Sequence, residues 1–335
     1  MKLLKILKKQ LLTILIYIFL FEALFQFLFI FDFKFIKQPI LFYNGYCDQR
    51  YWNFSDQEKK FDMDVLSHPI LSFQKKGIFI PEKFENDALQ EITEFSKKEI
   101  SLYGSSYINH SEVKNIIDNF QDINTINYAL ESYGLDQIYL NYKLTAHLNQ
   151  NKTIVFGFLL EDLDRSIFNY REYQKALFVW ENNKFILKNV PIRQNINAKK
   201  SNDFYLFRFL SNFYHLITND FDPRLSKCKI NYKKELSRYF FEDIQKSAKK
   251  FNQRIIVITF NLKEDLEKKP SWRYDFIKNL LAEKNITHID ALQIMINKSD
   301  EYDEKIENYF GSDAHNNKKS FEYIFDEFLK IYKAI

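Results

Sequence analysis

Five short strand-like runs, separated by stretches of helical spacing, constrain the fold more than any other feature of this chain. Rich in β-branched and other apolar residues, they fall at 100–103, 123–126, 153–158, 255–260 and 286–289. Between and after them, segments 135–148, 203–217, 233–251, 273–283 and 320–332 place apolar residues three and four apart, the period of an amphipathic helix. Runs of this kind suit strands buried on both faces, and strand–helix alternation predicts a parallel sheet with helices on each side. One segment breaks the alternation: residues 176–192 alternate about Glu181-Asn182-Asn183-Lys184, which predicts a β-hairpin inserted after the third strand.

The first 31 residues obey a different rule. Residues 11–31 are apolar apart from Thr13, Glu22 and Gln26, close to the roughly 20 residues that span a bilayer as a helix. Lys2, Lys5, Lys8 and Lys9 precede them, so the positive-inside bias keeps the N-terminus in the cytoplasm and sends the remainder across. A cleaved signal peptide is the rival reading, but the run is long for one and Phe31-Asp32-Phe33-Lys34 offers no small-residue cleavage site. Glu22 either faces a partner helix or a polar lipid group, or is simply tolerated in an otherwise strong span. The expected organisation is a cytoplasmic basic tail (1–10), a transmembrane signal-anchor helix (11–31), an aromatic, irregular lead-in (32–95) and one domain of about 240 residues (96–335).

Charge follows the same division. The chain holds 48 Lys+Arg against 44 Asp+Glu. Six lysines and two acids lie in residues 1–37, which leaves 42 of each sign in the rest. The basic excess is therefore a topology signal, and a nucleic-acid-binding surface is not expected. Abundant Phe, Lys, Asn and Ile beside only six glycines fits an AT-rich bacterial genome, which makes the compartment beyond the inner membrane the periplasm. Cys47 and Cys228 are the two cysteines, and their separation leaves pairing open. With no Cys-x-x-Cys, His-Glu-x-x-His or histidine-rich cluster, neither a metal nor another cofactor is expected.

Two distant segments carry the chemistry. Gly104-Ser105-Ser106 follows the first strand run, and Asp313-Ala314-His315 lies near the C-terminus. A serine hydroxyl becomes a nucleophile when an imidazole takes its proton, and a carboxylate fixes the imidazole's tautomer. In an open α/β sheet ligands bind beyond the carboxyl ends of the strands. Four of the glycines (104, 134, 157 and 311) fall at such ends or beside Asp313, where backbone N–H groups could approach a ligand.

From residue 100 onward, the order and spacing of four blocks resemble the SGNH/GDSL hydrolase superfamily, in its membrane-anchored bacterial branch. Leu102-Tyr103-Gly104-Ser105-Ser106 stands where the family has a strand followed by Gly-Asp-Ser. Residues 127–137, Asn127 to Gln137, match its Asn-x-Gly-Val-x-Gly-Tyr-Gly block; Gly157 to Arg165 match a strand ending in Asn-Asp; Asp313-Ala314-His315-Asn316 matches the Asp-His element before the final helix. The resemblance implies a three-layer α/β/α flavodoxin-like domain with about five parallel strands, behind the transmembrane helix. It also implies Ser106 as nucleophile, His315 as general base then acid, and Asp313 as the group that orients His315. Oxyanion and substrate contacts would come from the Ser106 N–H and from Asn127, Ser132, Gly134, Gly157 and Glu161. Two positions depart from the family pattern. Ser132 replaces the oxyanion glycine, and Glu161 replaces an asparagine, where an ionised carboxylate accepts hydrogen bonds and repels the developing charge.

Two readings follow. One is a periplasmic serine esterase or O-acyltransferase anchored through residues 11–31, acting on acyl, chiefly acetyl, esters of an envelope glycan or lipid. The other is a catalytically inactive domain of the same fold serving as a glycan-binding or assembly module. Protein partners are left open. His110 is read as a polar residue near the start of the helix after Ser106, with an alternative-base role also open. In Asp162-Leu163-Asp164-Arg165 a local ion pair is expected rather than a ligand site. Ser271 and Trp272 are read as a helix start with a packing ring, and a sugar-binding rim is the alternative.

Overall fold

The computed structural model describes residues 2–30, 65–84, 99–120, 123–167, 170–171, 173–192, 206, 230–263, 266 and 272–334. Cys47, Cys228, Ser271 and the helix expected over 203–217 lie outside these, Leu206 apart. At the centre is a five-stranded sheet. Its strands are β3 (Glu99–Gly104), β4 (Asn124–Asn127), β5 (Thr153–Leu159), β8 (Arg254–Phe260) and β9 (Thr287–Asp290), within one or two residues of the runs read from the sequence. Beside a two-residue pair at 170–171 and 173–174, two longer antiparallel pairs lie outside it: β1 (Val65–His68) with β2 (Ser72–Lys75), and β6 (Leu177–Glu181) with β7 (Lys184–Lys188).

The sheet order is β4-β3-β5-β8-β9 and every pairing is parallel. Counting its own strands along the chain gives 2-1-3-4-5, the flavodoxin-like order, whose topological switch lies beside the first strand. The sheet is buried on both sides. Tyr103, Ile154, Phe156 and Phe158 pack toward the side that holds helices Leu135–Thr145, Ile230–Lys250 and Trp272–Glu283. Alternate residues Ile100, Leu102, Val155, Ile256 and Ile258 meet helices Ser106–Asn109, Ser111–Asp118 and Lys318–Lys333 on the other. The result is the three-layer α/β/α domain. Each Phe or Ile withdrawn from water in such a core stabilises the fold by about 1.5–3 kcal/mol.

Among the described residues, the left-handed backbone positions are taken mostly by asparagine. Of ten non-glycine residues at positive φ among those described, six are asparagines: 151, 182, 183, 189, 252 and 285. Asn182 and Asn183 turn the β6–β7 hairpin with φ of 52° and 60°, the twin left-handed pair that a two-residue type I′ connection needs. Asn285 closes helix Trp272–Glu283 in the same way, with Ile286 N donating to Leu281 O at 2.9 Å.

Within the lead-in, the β1–β2 hairpin is an element the sequence pattern did not reveal. Its strands are four residues long, and a buried side chain holds the turn between them. His68 accepts the backbone N–H groups of Ile70 and Leu71 on Nδ1, both at 3.1 Å, and lies 3.1 Å from Pro81 O through Nε2. An Nδ1 that accepts carries no proton, so Nε2 is the donor. Ile70, Leu71, Phe73 and Ile80 join the main core, and Tyr133 Oη and Gln137 Nε2 tie the hairpin to the domain through Phe73 O and Leu71 O. A second unanticipated element is helix Ala291–Tyr302, capped by Asp290, whose side chain accepts from Gln293 N.

The N-terminal apolar stretch is helical over Lys2–Ile30, and Lys5–Phe27 is long and apolar enough to cross a membrane. Glu22, buried within it, accepts hydrogen bonds from Gln26 Nε2 and Leu206 N, both at 2.9 Å.

Candidate active site

Two glycines set where Ser106 sits. Gly104 ends β3 and pairs in register with Gly157 of β5. Ile108, two residues after Ser106, fills the space that a side chain on either would need. A Cβ on Gly157 would lie 2.2 Å from Ile108 Cγ1, and one on Gly104 would lie 2.1 Å from Gly157 O and 2.8 Å from Ile108 Cγ1. The short helix Ser106–Asn109 can therefore rest directly on the sheet, and Ser106 becomes its first residue at the carboxyl end of β3. Ser105 N anchors the turn on Gly157 O at 3.3 Å, and among the described residues the buried Ser105 hydroxyl has no hydrogen-bond partner.

His315 comes from a loop closed by several bonds. Phe310 and Asn316 form an isolated antiparallel bridge, and Gly311 N donates to His315 O at 2.7 Å. Ala314 takes φ +66°, which lets the Asp313 carboxylate fold back so that Oδ1 accepts His315 N at 3.2 Å. Asn317 then caps helix Lys318–Lys333 by accepting Ser320 N.

The two segments, 209 residues apart, meet. His315 Nε2 lies 2.9 Å from Ser106 Oγ. Nδ1 of the same ring lies 3.3 Å from Asp313 Oδ2, inside ion-pairing range, yet it makes no hydrogen bond among the described residues. Burial pushes the Asp313 carboxyl up, but the His315 N–H and the His315 and His110 imidazoles outweigh it and hold the group below the ordinary carboxylate range. A negative charge is thus maintained behind the imidazole.

Sequence reasoning missed Tyr107, and it read His110 as a helix-start residue without placing it beside Asp313. Tyr107 Oη lies 3.3 Å from both Asn261 O and Ala314 O, and its ring packs against His315 at 4.7 Å. It clasps the histidine loop to the helix that carries Ser106. His110 caps helix Ser111–Asp118 by accepting Glu112 N, and its Nε2 lies 3.6 Å from Asp313 Oδ2. Spacing from Ser106 hinted at a helix start there, but nothing in the pattern placed His110 beside a residue 203 positions away.

The expected oxyanion group is distributed unevenly. Ser132 adopts φ +66°, so the left-handed turn a glycine would make is made by serine, at a cost of about 1 kcal/mol. Asn127 is engaged at both ends of its amide, donating to Ile108 O at 3.2 Å and accepting Ala129 N at 2.9 Å, and bridges the Ser106 helix to the second block. Gly134 heads helix Leu135–Thr145 where a Cβ would meet Asp136 Oδ1 at 2.6 Å and Arg165 Cβ at 2.9 Å. Gly134 and Gly157 are thus positions of close packing that draw the loops together. Glu161, half-buried, precedes the turn Asp162–Arg165, and its carbonyl accepts Asp164 N and Arg165 N. Beyond it, Asp162 pairs with Arg165 at 2.5 Å and accepts Leu159 N, while Asp164 is held by Lys233 and Arg273. Lys175 and Asp136 form a further pair at 3.0 Å, each about 1% exposed. The Asp162–Arg165 pair is the local one the sequence suggested, whereas Asp164 is held by cations from two other helices. Trp272 begins helix Trp272–Glu283 and packs against the main core.

No protein-family profile matches the chain, and no curated protein does. Among solved structures it is similar to a member of the lipolytic G-D-S-L family from Veillonella parvula, at 10% identity over 71% of this chain and 99% of that one, with a TM-score of 0.41. It is also similar to an acetyl xylan esterase from Geobacillus stearothermophilus, at 12% identity over 71% of this chain and 96% of that one, with a TM-score of 0.41.

Proposed function

We propose that this protein is a serine esterase or O-acyltransferase in which Ser106 attacks an acyl ester, His315 relays the proton and Asp313 orients His315. The observation that carries the reading is the 2.9 Å approach of His315 Nε2 to Ser106 Oγ with a carboxylate behind the ring. In the first step His315 Nε2 accepts the Ser106 proton as Oγ bonds to the acyl carbon. The imidazolium then gives that proton to the leaving alcohol, and an acyl-serine remains. Water or a sugar hydroxyl, deprotonated by the same nitrogen, takes the acyl group in the second half. The oxyanion would be met by the Ser106 N–H at the head of its helix and by a backbone N–H of the turn at Ser132, which keeps the backbone conformation of a glycine.

The substrate and its compartment belong to the same proposal. The apolar helix over Lys5–Phe27, with lysines at its start, supports a reading in which the domain lies on the periplasmic face of a bacterial inner membrane, where acyl, chiefly acetyl, esters of an envelope glycan or lipid would be the substrates within reach. The competing reading, an inactive glycan-binding or assembly module, rests on Glu161, whose charge would oppose the oxyanion. Full-length protein in detergent decides between them through hydrolysis of p-nitrophenyl acetate. Turnover that falls by at least 10³ in both Ser106→Ala and His315→Ala supports the enzyme. Wild-type turnover equal to that of Ser106→Ala supports the module.

A further inference from the structure

Asp313 faces two imidazoles, and the proton relay uses one of them. His110 is fixed on three sides. Its Nδ1 accepts Glu112 N at 3.3 Å, its ring packs on Phe321 at 5.2 Å, and the ring of His315 stands 5.5 Å away. Phe321 is fully buried, so the wall behind His110 does not yield. An Nδ1 that accepts leaves the ring proton on Nε2. That nitrogen lies 3.6 Å from Asp313 Oδ2, within ion-pairing range and just beyond hydrogen-bond range, and the same oxygen lies 3.3 Å from His315 Nδ1.

The Asp313 side chain is 56% exposed. A carboxylate so open to water has competing partners and freedom to rotate, which weakens its hold on an imidazole. We propose that His110 is a positioning residue that donates from Nε2 to Asp313 Oδ2, holding the carboxylate against His315 so that the His315 proton stays on Nδ1 and Nε2 stays open toward Ser106. This role rests on the acyl-transfer reading of Ser106 and adds a fourth side chain to it. One histidine thereby caps a helix with one ring nitrogen and steadies the acid with the other.

The two nitrogens can be separated by mutation. In His110→Asn the shorter amide still accepts Glu112 N, because asparagine is a strong helix cap, but it cannot reach Asp313. His110→Gln carries an amide donor to about the position of Nε2. For full-length protein hydrolysing p-nitrophenyl acetate, His110→Asn is expected to lower kcat about tenfold, the loss of one charge-assisted bond, with KM and thermal midpoint unchanged. His110→Gln is expected to recover most of that loss. In an Asp313→Ala background His110→Asn is expected to change nothing further, since its effect passes through Asp313. Wild-type kcat in His110→Asn, or a tenfold loss that persists without Asp313, overturns the assignment while leaving the Ser106 reading intact. Absence of turnover in the wild type removes that reading, and the role of His110 with it.

Discussion

Substituting Gly157 by alanine tests the claim that packing beneath Ser106 aims it as the proposed nucleophile. The new Cβ would sit 2.2 Å from Ile108 Cγ1 and 2.3 Å from Cδ1, where carbon atoms prefer roughly 3.5 Å. Ile108 must retreat by about 1.2 Å, and it lies on the four-residue helix that begins with Ser106. Overpacking of this size costs about 1–3 kcal/mol in stability. The larger effect is on alignment: displacing a reacting group by about 1 Å costs on the order of 10² in rate. Gly157→Ala should therefore retain its fold by circular dichroism while kcat for p-nitrophenyl acetate falls roughly 10²-fold. Adding Ile108→Ala removes the clashing atoms and should restore a substantial part of kcat, at a stability cost of about 2–5 kcal/mol. Gly104→Ala should not be rescued in this way, because its Cβ also meets the Gly157 carbonyl at 2.1 Å and backbone cannot be trimmed. Wild-type kcat in Gly157→Ala, or equal rescue of both glycine variants by Ile108→Ala, would refute the reasoning.

Three further expectations concern strain, protons and buried charge. Ser132→Gly relieves the left-handed strain of about 1 kcal/mol and increases unfolded-chain freedom by about 0.4–1 kcal/mol. The urea midpoint should hence hold or rise slightly with kcat maintained; a tenfold fall in kcat would assign the Ser132 hydroxyl a part in the site. Burial holds the buried His68 imidazole below the ordinary histidine pKa, so the unfolded chain takes up a proton at a pH where the fold does not. Its stability contribution is complete above about pH 6.5 and is lost as pH falls below that, at up to roughly 1.4 kcal/mol per pH unit; urea midpoints at pH 7.5 and 5.5 should converge in His68→Asn relative to wild type. Lys175→Met strands the buried Asp136 carboxylate and should cost about 3–5 kcal/mol at pH 7. Burial already pushes Asp136 up against the pull of Lys175, so acidification, which neutralises the stranded group, should return part of that loss; a pH-independent deficit would mean that Lys175 matters for packing alone.

The sheet was legible because its strands are buried on both faces, which leaves a run such as Ile255 to Phe260 apolar apart from Thr259. Amphipathic helices such as Lys318–Lys333 showed for the complementary reason, one apolar stripe. Helix Ala291–Tyr302 escaped notice because its fully buried apolar residues are only Ala291 and Met295, too few to print a period. The β1–β2 hairpin is held by the side chain of His68 and by contacts to Tyr133 and Gln137, none of which is local pattern. Glycine was a partial guide. It marked the right places, but in a chain whose turns fall to asparagine the glycines at 104, 134 and 157 mark contact between backbone and neighbouring side chains. Ser106, Asp313 and His315 could be nominated from residue types and order, and His110 as a helix start, whereas Tyr107 and the contact of His110 with Asp313 became visible only once the fold had closed the distance.

The most direct measurement is peptide mapping of the full-length protein after reaction with a fluorophosphonate. The account predicts a single phosphonylated serine, Ser106, with labelling abolished in Ser106→Ala and slowed at least 10³-fold in His315→Ala. A folded protein that remains unlabelled, or one labelled on another serine, would contradict it.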